Sequence, residues 1–178
     1  MDAQASWTGG TGRGGGTRPD IDVAIIGTGF SGLGMAIALK KAGRNDFRIY
    51  EKADDVGGTW RDNDYPGCAC DVPSHLYSFS FRPNPNWSRV FSPGPEIQRY
   101  LRECARESGL LPHIHFGTDM LAARWQAERR RWVVQTQHGN YEAEVLITAT
   151  GHLADERLPE VPGLDSFTGE AFHSARWH

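Results

Sequence analysis

The sequence predicts an α/β fold, a doubly wound parallel sheet that carries a small antiparallel β-meander. Three observations predict it. A strand, a glycine turn, a helix and a second strand follow one another between Ile21 and Glu51, an amphipathic helix occupies residues 95–109, and alternating apolar residues recur from 115 to 151.

The first element is the β-branched run IDVAII, bounded by Pro19 and Gly27, which reads as a strand buried on both faces. In GTGFSGLGMAIALKKAG the period changes. Leu33, Ala36 and Ile37 recur at helical spacing, and Gly43 stands where a helix ends. FRIYE supplies the next strand. Strand, turn, helix and strand within about 30 residues form a βαβ unit, which requires a parallel sheet and a right-handed crossover.

From Gly57 to Pro95 the chain is rich in Gly, Pro, Asn and aromatic residues and shows little periodicity, as long functional loops do. PEIQRYLRECARESG then sets Ile97, Tyr100, Leu101, Cys104 and Ala105 on one helical face, with Pro95 at its start and Gly109 at its end. The segments 115–125, RRWVVQTQ and NYEAEVLITATG alternate and complete the meander, whose last strand returns to the main sheet through VLITAT. Arg129, Arg130 and Arg131 mark a hairpin turn.

A chain of 178 residues has room for one domain with a sizeable core, here set at 19–166. Residues 1–18 hold six glycines within TGGTGRGGGT, too little apolar surface to offset the entropy of ordering, and read as a disordered arm. The net charge of −3 and the lack of a basic block speak against nucleic acid or an anionic membrane as partner. No run approaches the roughly 20 apolar residues that span a bilayer, and the start of the chain has no signal-peptide pattern, so a cytoplasmic location is expected. Three cysteines, Cys68, Cys70 and Cys104, are an odd number without a secretory signal and speak against a disulfide framework, and the C-x-C pair, which lacks C-x-x-C spacing, reads as local packing.

Gly27, Thr28, Gly29, Phe30, Ser31 and Gly32 fit G-x-G-x-x-G directly between strand and helix. The first glycine allows the tight turn, the second lets a pyrophosphate reach the backbone, and the third lets helix and strand pack closely. The phosphates lie at the helix N-terminus, where free N–H groups and the dipole favour an anion. Glu51, 24 residues after Gly27, is placed to accept hydrogen bonds from an adenosine ribose and disfavours a 2′-phosphate, which argues against NADP at this first site. The alternative is an exposed glutamate at a strand end. The fold alone leaves NAD and FAD open.

Two further stretches carry a resemblance. The ending Thr148-Ala149-Thr150-Gly151 resembles that of the FAD domain in two-dinucleotide flavoproteins. GGTWRDNDYPGCACDVPSHLYSFSF resembles the segment G-G-T-W-x-x-N-x-Y-P-G-x-x-x-D-x-x-S-x-x-Y of the flavin-dependent Baeyer–Villiger monooxygenases, through Gly57, Gly58, Thr59, Trp60, Asn63, Tyr65, Pro66, Gly67, Asp71, Ser74 and Tyr77. Phe167, Gly169, His173 and Trp177 resemble the family fingerprint F-x-G-x-x-x-H-x-x-x-W, departing only at His178, where the family usually has Pro or Asp. Flavin monooxygenases acting on nitrogen and sulfur carry Phe or Tyr at the position of Trp177.

The resemblance implies a Rossmann-like FAD-binding domain, with NADPH as co-substrate and O₂ and a ketone as reactants. It assigns Gly27, Gly29, Phe30, Ser31 and Gly32 to the pyrophosphate and Glu51 to the ribose. Gly58, Thr59, Trp60, Asp71 and Tyr77 are assigned to the flavin side, Met120 to the adenine end, and Ala149, Thr150 and Gly151 to the cofactor turn. Ala69, Cys70 and Asp71 would also touch NADP. Asp71 is the candidate catalytic residue, a buried carboxylate meeting an arginine of the NADPH-binding half. Read without the resemblance, Asp71 caps its own loop before Pro73. Only one strand-G-x-G-x-x-G-helix unit occurs in the sequence. The expectation is therefore that 167–178 links to an NADPH domain supplied elsewhere, such as a separately encoded C-terminal half, and that the chain is inactive alone.

Two rival readings are a nitrogen- or sulfur-oxidising flavin monooxygenase and a non-catalytic FAD-binding module or gene remnant. No metal site is expected. His173 reads as a hydrogen-bonded hinge, and His113 and His115 as surface residues.

Overall fold

A computed structural model describes residues 20–153 and 156–177. The glycine-rich segment 1–18 and His178 lie outside the described residues. A six-stranded sheet organises the described residues, its neighbouring strands running in the order Ile114–His115, Phe47–Tyr50, Ile21–Ile26, Gly139–Thr148, Arg131–Thr136 and Met120–Gln126. Strand β1, Ile21–Ile26, leads through the glycine turn into helix α1, Phe30–Lys41, and returns as β2, Phe47–Tyr50, parallel to β1. Gly43, at φ 75°, follows the helix end as its spacing predicts.

The long loop contains one short helix, α2, Thr59–Asp62, and ends in α3, Gly94–Glu107. The sheet resumes with β3, Ile114–His115, then β4, Met120–Gln126, β5, Arg131–Thr136, and β6, Gly139–Thr148. Strand β6 joins the two halves of the sheet. Its first part pairs antiparallel with β5 and its second part parallel with β1, and Ala143 pairs with both Trp132 and Ile21.

Helices α1 and α3 pack together on one sheet face. Leu33, Ala36 and Ile37 from α1 and Tyr100, Leu101, Cys104 and Ala105 from α3 bury Val23, Ile25 and Ile49 beneath them. The other face carries a smaller cluster of Ile21, Ala24, Ile26, Tyr50, Val134 and Ala143, closed by Met120, Tyr141 and Leu146. The Val, Leu and Ile side chains among these are worth roughly 1.5–3 kcal/mol each on full removal from water.

The loop is nailed to α3. The Tyr100 hydroxyl accepts from the Phe79 N–H at 2.8 Å and donates to the Arg82 carbonyl at 2.7 Å. All three cysteines are buried and free. Among the described residues, no helix is long and apolar enough to cross a membrane.

Two readings need correction. The segment 115–125 is not one strand: Gly117, at φ 59°, breaks it, leaving Ile114–His115 on the parallel edge against β2 while β4 starts at Met120. His113 and His115 are half-buried rather than surface residues. The His113 ring stacks on Phe47 at 4.3 Å and the His115 ring lies 5.6 Å from Tyr50. Burial, reinforced by the Arg48 charge, pushes the His115 pKa down. The arginine run straddles its turn: Arg129 and Arg130 lie in it, Arg131 opens β5, and Arg129 and Arg131 both pair with Glu142.

Candidate functional site

Close backbone approach shapes the turn after β1. Gly27 adopts φ 99°, and a Cβ there would sit 2.6 Å from the Ala149 carbonyl oxygen. A Cβ on Gly32 would sit 1.9 Å from the Gly27 carbonyl oxygen, so α1 is drawn onto the turn. The Leu33 N–H bonds to the Gly29 carbonyl at 3.1 Å, and the amides of Phe30, Ser31 and Gly32 lie ahead of that bond. The first turn of α1 carries no acidic residue and no side-chain cap. An anion is the natural partner of such an end.

Phe30 and Ser31 border a cavity of about 550 Å³. It brings together Gly27, Gly29, Phe30, Ser31, Glu51, Gly58, Thr59, Trp60, Tyr77, Met120, Ala149, Thr150 and Gly151 from the sequence-derived set. Gly32 lies buried beneath the turn. Ala69 lines a neighbouring cavity of about 450 Å³, which shares Trp60 and Arg61 with the first. Cys70 and Asp71 line neither.

One wall is aromatic. The Phe30 ring meets Tyr77 edge-on at 4.9 Å, and the Trp60 N–H donates to the Tyr77 hydroxyl at 3.1 Å. Burial pushes the Tyr77 phenol above its ordinary pKa, the Trp60 N–H opposes the rise, and the Cys70 and Asp71 charges add to it.

Glu51 stands at the opposite wall and is buried, not the exposed strand-end residue of the alternative reading. Its Oε2 accepts from the Thr28 N–H at 2.9 Å and the Thr28 hydroxyl at 2.5 Å. Its Oε1 accepts from the Ala53 N–H at 3.0 Å and pairs with Arg61 at 3.0 Å. Sequence reasoning missed Arg61, which falls at an unspecified position of the G-G-T-W-x-x-N stretch. A buried carboxylate needs a cationic neighbour, and that requirement is the signal that could have found it.

Asp71 is exposed, contrary to its reading as a buried carboxylate. The neighbouring Cys70 turns inward, with its N–H bonded to the Ser92 carbonyl, and its sulfur accepts from the Val72 N–H at 3.4 Å. Asp71 is thereby turned out, and among the described residues its carboxylate has no hydrogen-bond or ion-pair partner, so it does not cap its own loop. His173 Nδ1 accepts from the Ala175 N–H at 3.1 Å, and the Phe172 and Trp177 rings meet edge-on at 5.1 Å. Among the described residues, no group of three His, Cys, Asp or Glu side chains is placed to hold a metal.

A family model described as an NAD(P)-binding Rossmann-like domain matches residues 25–93. A Baeyer-Villiger monooxygenase of Streptomyces coelicolor is 53% identical over 157 residues, which are 88% of this chain and 30% of that protein. A Baeyer-Villiger monooxygenase of Pseudomonas aeruginosa is 47% identical over 156 residues, 87% of this chain and 30% of that protein. Among solved structures, OTEMO in complex with FAD and NADP superimposes with a TM-score of 0.82 at 37% identity, over 90% of this chain and 31% of that one. Cyclohexanone monooxygenase in an open form gives 0.81 at 36% identity, over 89% and 32%. The chain thus spans about 30% of the length of the curated relatives it matches. By sequence and by fold, the chain matches a part, about 30%, of proteins named Baeyer–Villiger monooxygenases.

Proposed function

We propose that the chain is the FAD-binding part of an NADPH- and O₂-dependent flavin monooxygenase that inserts oxygen into ketones. The observation that carries this reading is the junction of the glycine turn, the uncapped start of α1 and the buried Glu51 around one cavity of about 550 Å³. The residues fit the group: the close approaches at Gly27 and Gly32 leave backbone rather than side chains facing the phosphates, and the aromatic wall suits a flat ring. OTEMO is a structure with FAD and NADP bound, which supports the same cofactors here.

In this reading Gly27, Gly29, Phe30 and Ser31 hold the pyrophosphate, with Gly32 beneath them. Glu51 faces the adenosine ribose and Met120 the adenine. Gly58, Thr59, Trp60 and Tyr77 border the flavin, and Ala149, Thr150 and Gly151 close the turn. Ala69, Cys70 and Asp71 lie on the NADP side, where the exposed Asp71 is available to meet an arginine of an NADPH-binding half. FAD, when bound, supplies the redox and oxygen chemistry, and these residues orient it and exclude water.

The proposal extends to a cytoplasmic location, a domain at 19–166 and a linker at 167–178. The test is product analysis. The FAD-loaded chain, combined with the polypeptide matching the rest of the Streptomyces relative, is given NADPH, O₂ and either a ketone or a thioether. An ester from the ketone supports the reading, and a sulfoxide alone transfers it to the nitrogen- and sulfur-oxidising branch.

A further inference from the structure

The carboxylate of Glu51 is already engaged on both oxygens by the protein. A carboxylate offers about four lone-pair sites. Two hydrogen bonds from Thr28 take Oε2, the Ala53 N–H takes one site on Oε1, and the Arg61 guanidinium stands against the remaining site as an ion pair at 3.0 Å. A ribose hydroxyl that donates to Glu51 must therefore displace a hydrogen-bond donor or enter the site that the Arg61 charge covers.

The four partners differ in how readily they yield. Two are backbone amides fixed by the turns that carry them. The Thr28 hydroxyl belongs to a side chain that is fully buried. Arg61 comes from a separate element, α2, and keeps other acceptors: the Asp55 carbonyl at 2.7 Å and the Asp62 carboxylate at 2.7 Å. It loses least on leaving Glu51, because its guanidinium stays paired.

We propose that Arg61 is a specificity-determining residue that competes with the ribose hydroxyls for Oε1 of Glu51, and so sets how strongly the site distinguishes ribose from deoxyribose. This rests on the reading of the cavity as an adenosine-nucleotide site. Glu51 supplies the acceptor, and Arg61 decides how much of it the nucleotide receives.

The experiment is calorimetric titration of the full chain with ADP and with 2′,3′-dideoxy-ADP, for the wild type and for Arg61→Met, Arg61→Lys and Thr28→Val. The wild type should prefer ADP by no more than about threefold, because the hydroxyls gain little at a carboxylate engaged on both oxygens. Arg61→Met should raise that preference about tenfold, the effect expected of one hydrogen bond to a charged group. Thr28→Val, which frees a site on Oε2 and leaves the Arg61 pair in place, should raise it in the same direction. Arg61→Lys should stay near the wild-type ratio.

A purely structural Arg61 would shift both nucleotides together. Equal weakening with an unchanged ratio in folded Arg61→Met and Thr28→Val overturns the proposal while leaving the nucleotide site intact. Failure of the wild type to bind either nucleotide overturns the site itself and this inference with it.

Discussion

Gly32 lies so close to Gly27 that a Cβ on Gly32 would stand 1.9 Å from the Gly27 carbonyl oxygen. The obstacle is backbone, which cannot swing aside as a side-chain tip can. Gly32→Ala should therefore cost about 1–3 kcal/mol by overpacking, or roughly 2–12 °C in melting temperature, and should weaken FAD binding by opening the turn. Gly43→Ala is a control: no atom lies within 4 Å of its Cβ, so any cost there comes from φ 75° alone and leaves FAD affinity unchanged. Thermal melts and FAD titration of the two variants check this.

Tyr100→Phe should loosen the long loop. It removes the acceptor of the Phe79 N–H and the donor to the Arg82 carbonyl. The expected loss is about 1–3 kcal/mol, since a partly buried amide is left unpaired. Hydrogen exchange should rise at residues 79–82 and stay unchanged in β1.

Alkaline pH should destabilise the fold over a defined window. Burial pushes the phenols of Tyr50 and Tyr100 up to about 12, from 10 in the unfolded chain. The folded state keeps these protons longer, so their contribution is complete below pH 10 and is lost as pH rises to about 12. Urea unfolding across this range should show the decline, and Tyr50→Phe should flatten it.

Asp71→Ala should leave FAD uptake within about threefold of wild type, because the exposed carboxylate touches neither the glycine turn nor Glu51. Spectrophotometric titration with FAD reads this directly. Loss of uptake would make Asp71 structural first and remove it from the NADP side.

The βαβ unit is readable in the sequence because hydrophobic period and glycine placement change together at Gly27 and Gly43. The α3 face is readable because five apolar positions share it, and all five are buried. Strand β3 is not readable: two residues are too few to show alternation, and the turn at Gly117 separates them from β4 only through bonds to Ala53 and Glu51. His113 and His115 looked exposed because polar residues at alternate positions match a solvated face, whereas here they cover Phe47 and Tyr50. Within the site, most of the residue set follows from motifs, but the Glu51–Arg61 pair joins elements whose approach depends on the fold of the loop. The outward turn of Asp71 likewise follows from Cys70 turning in.

In the proposed function the glycine turn and Glu51 form an FAD site. Fluorescence titration of the purified chain with FAD tests it most directly. Saturable quenching of the flavin at about one FAD per chain, weakened by Gly32→Ala, is the predicted result. A chain that remains colourless and leaves flavin fluorescence unchanged in excess FAD would contradict it.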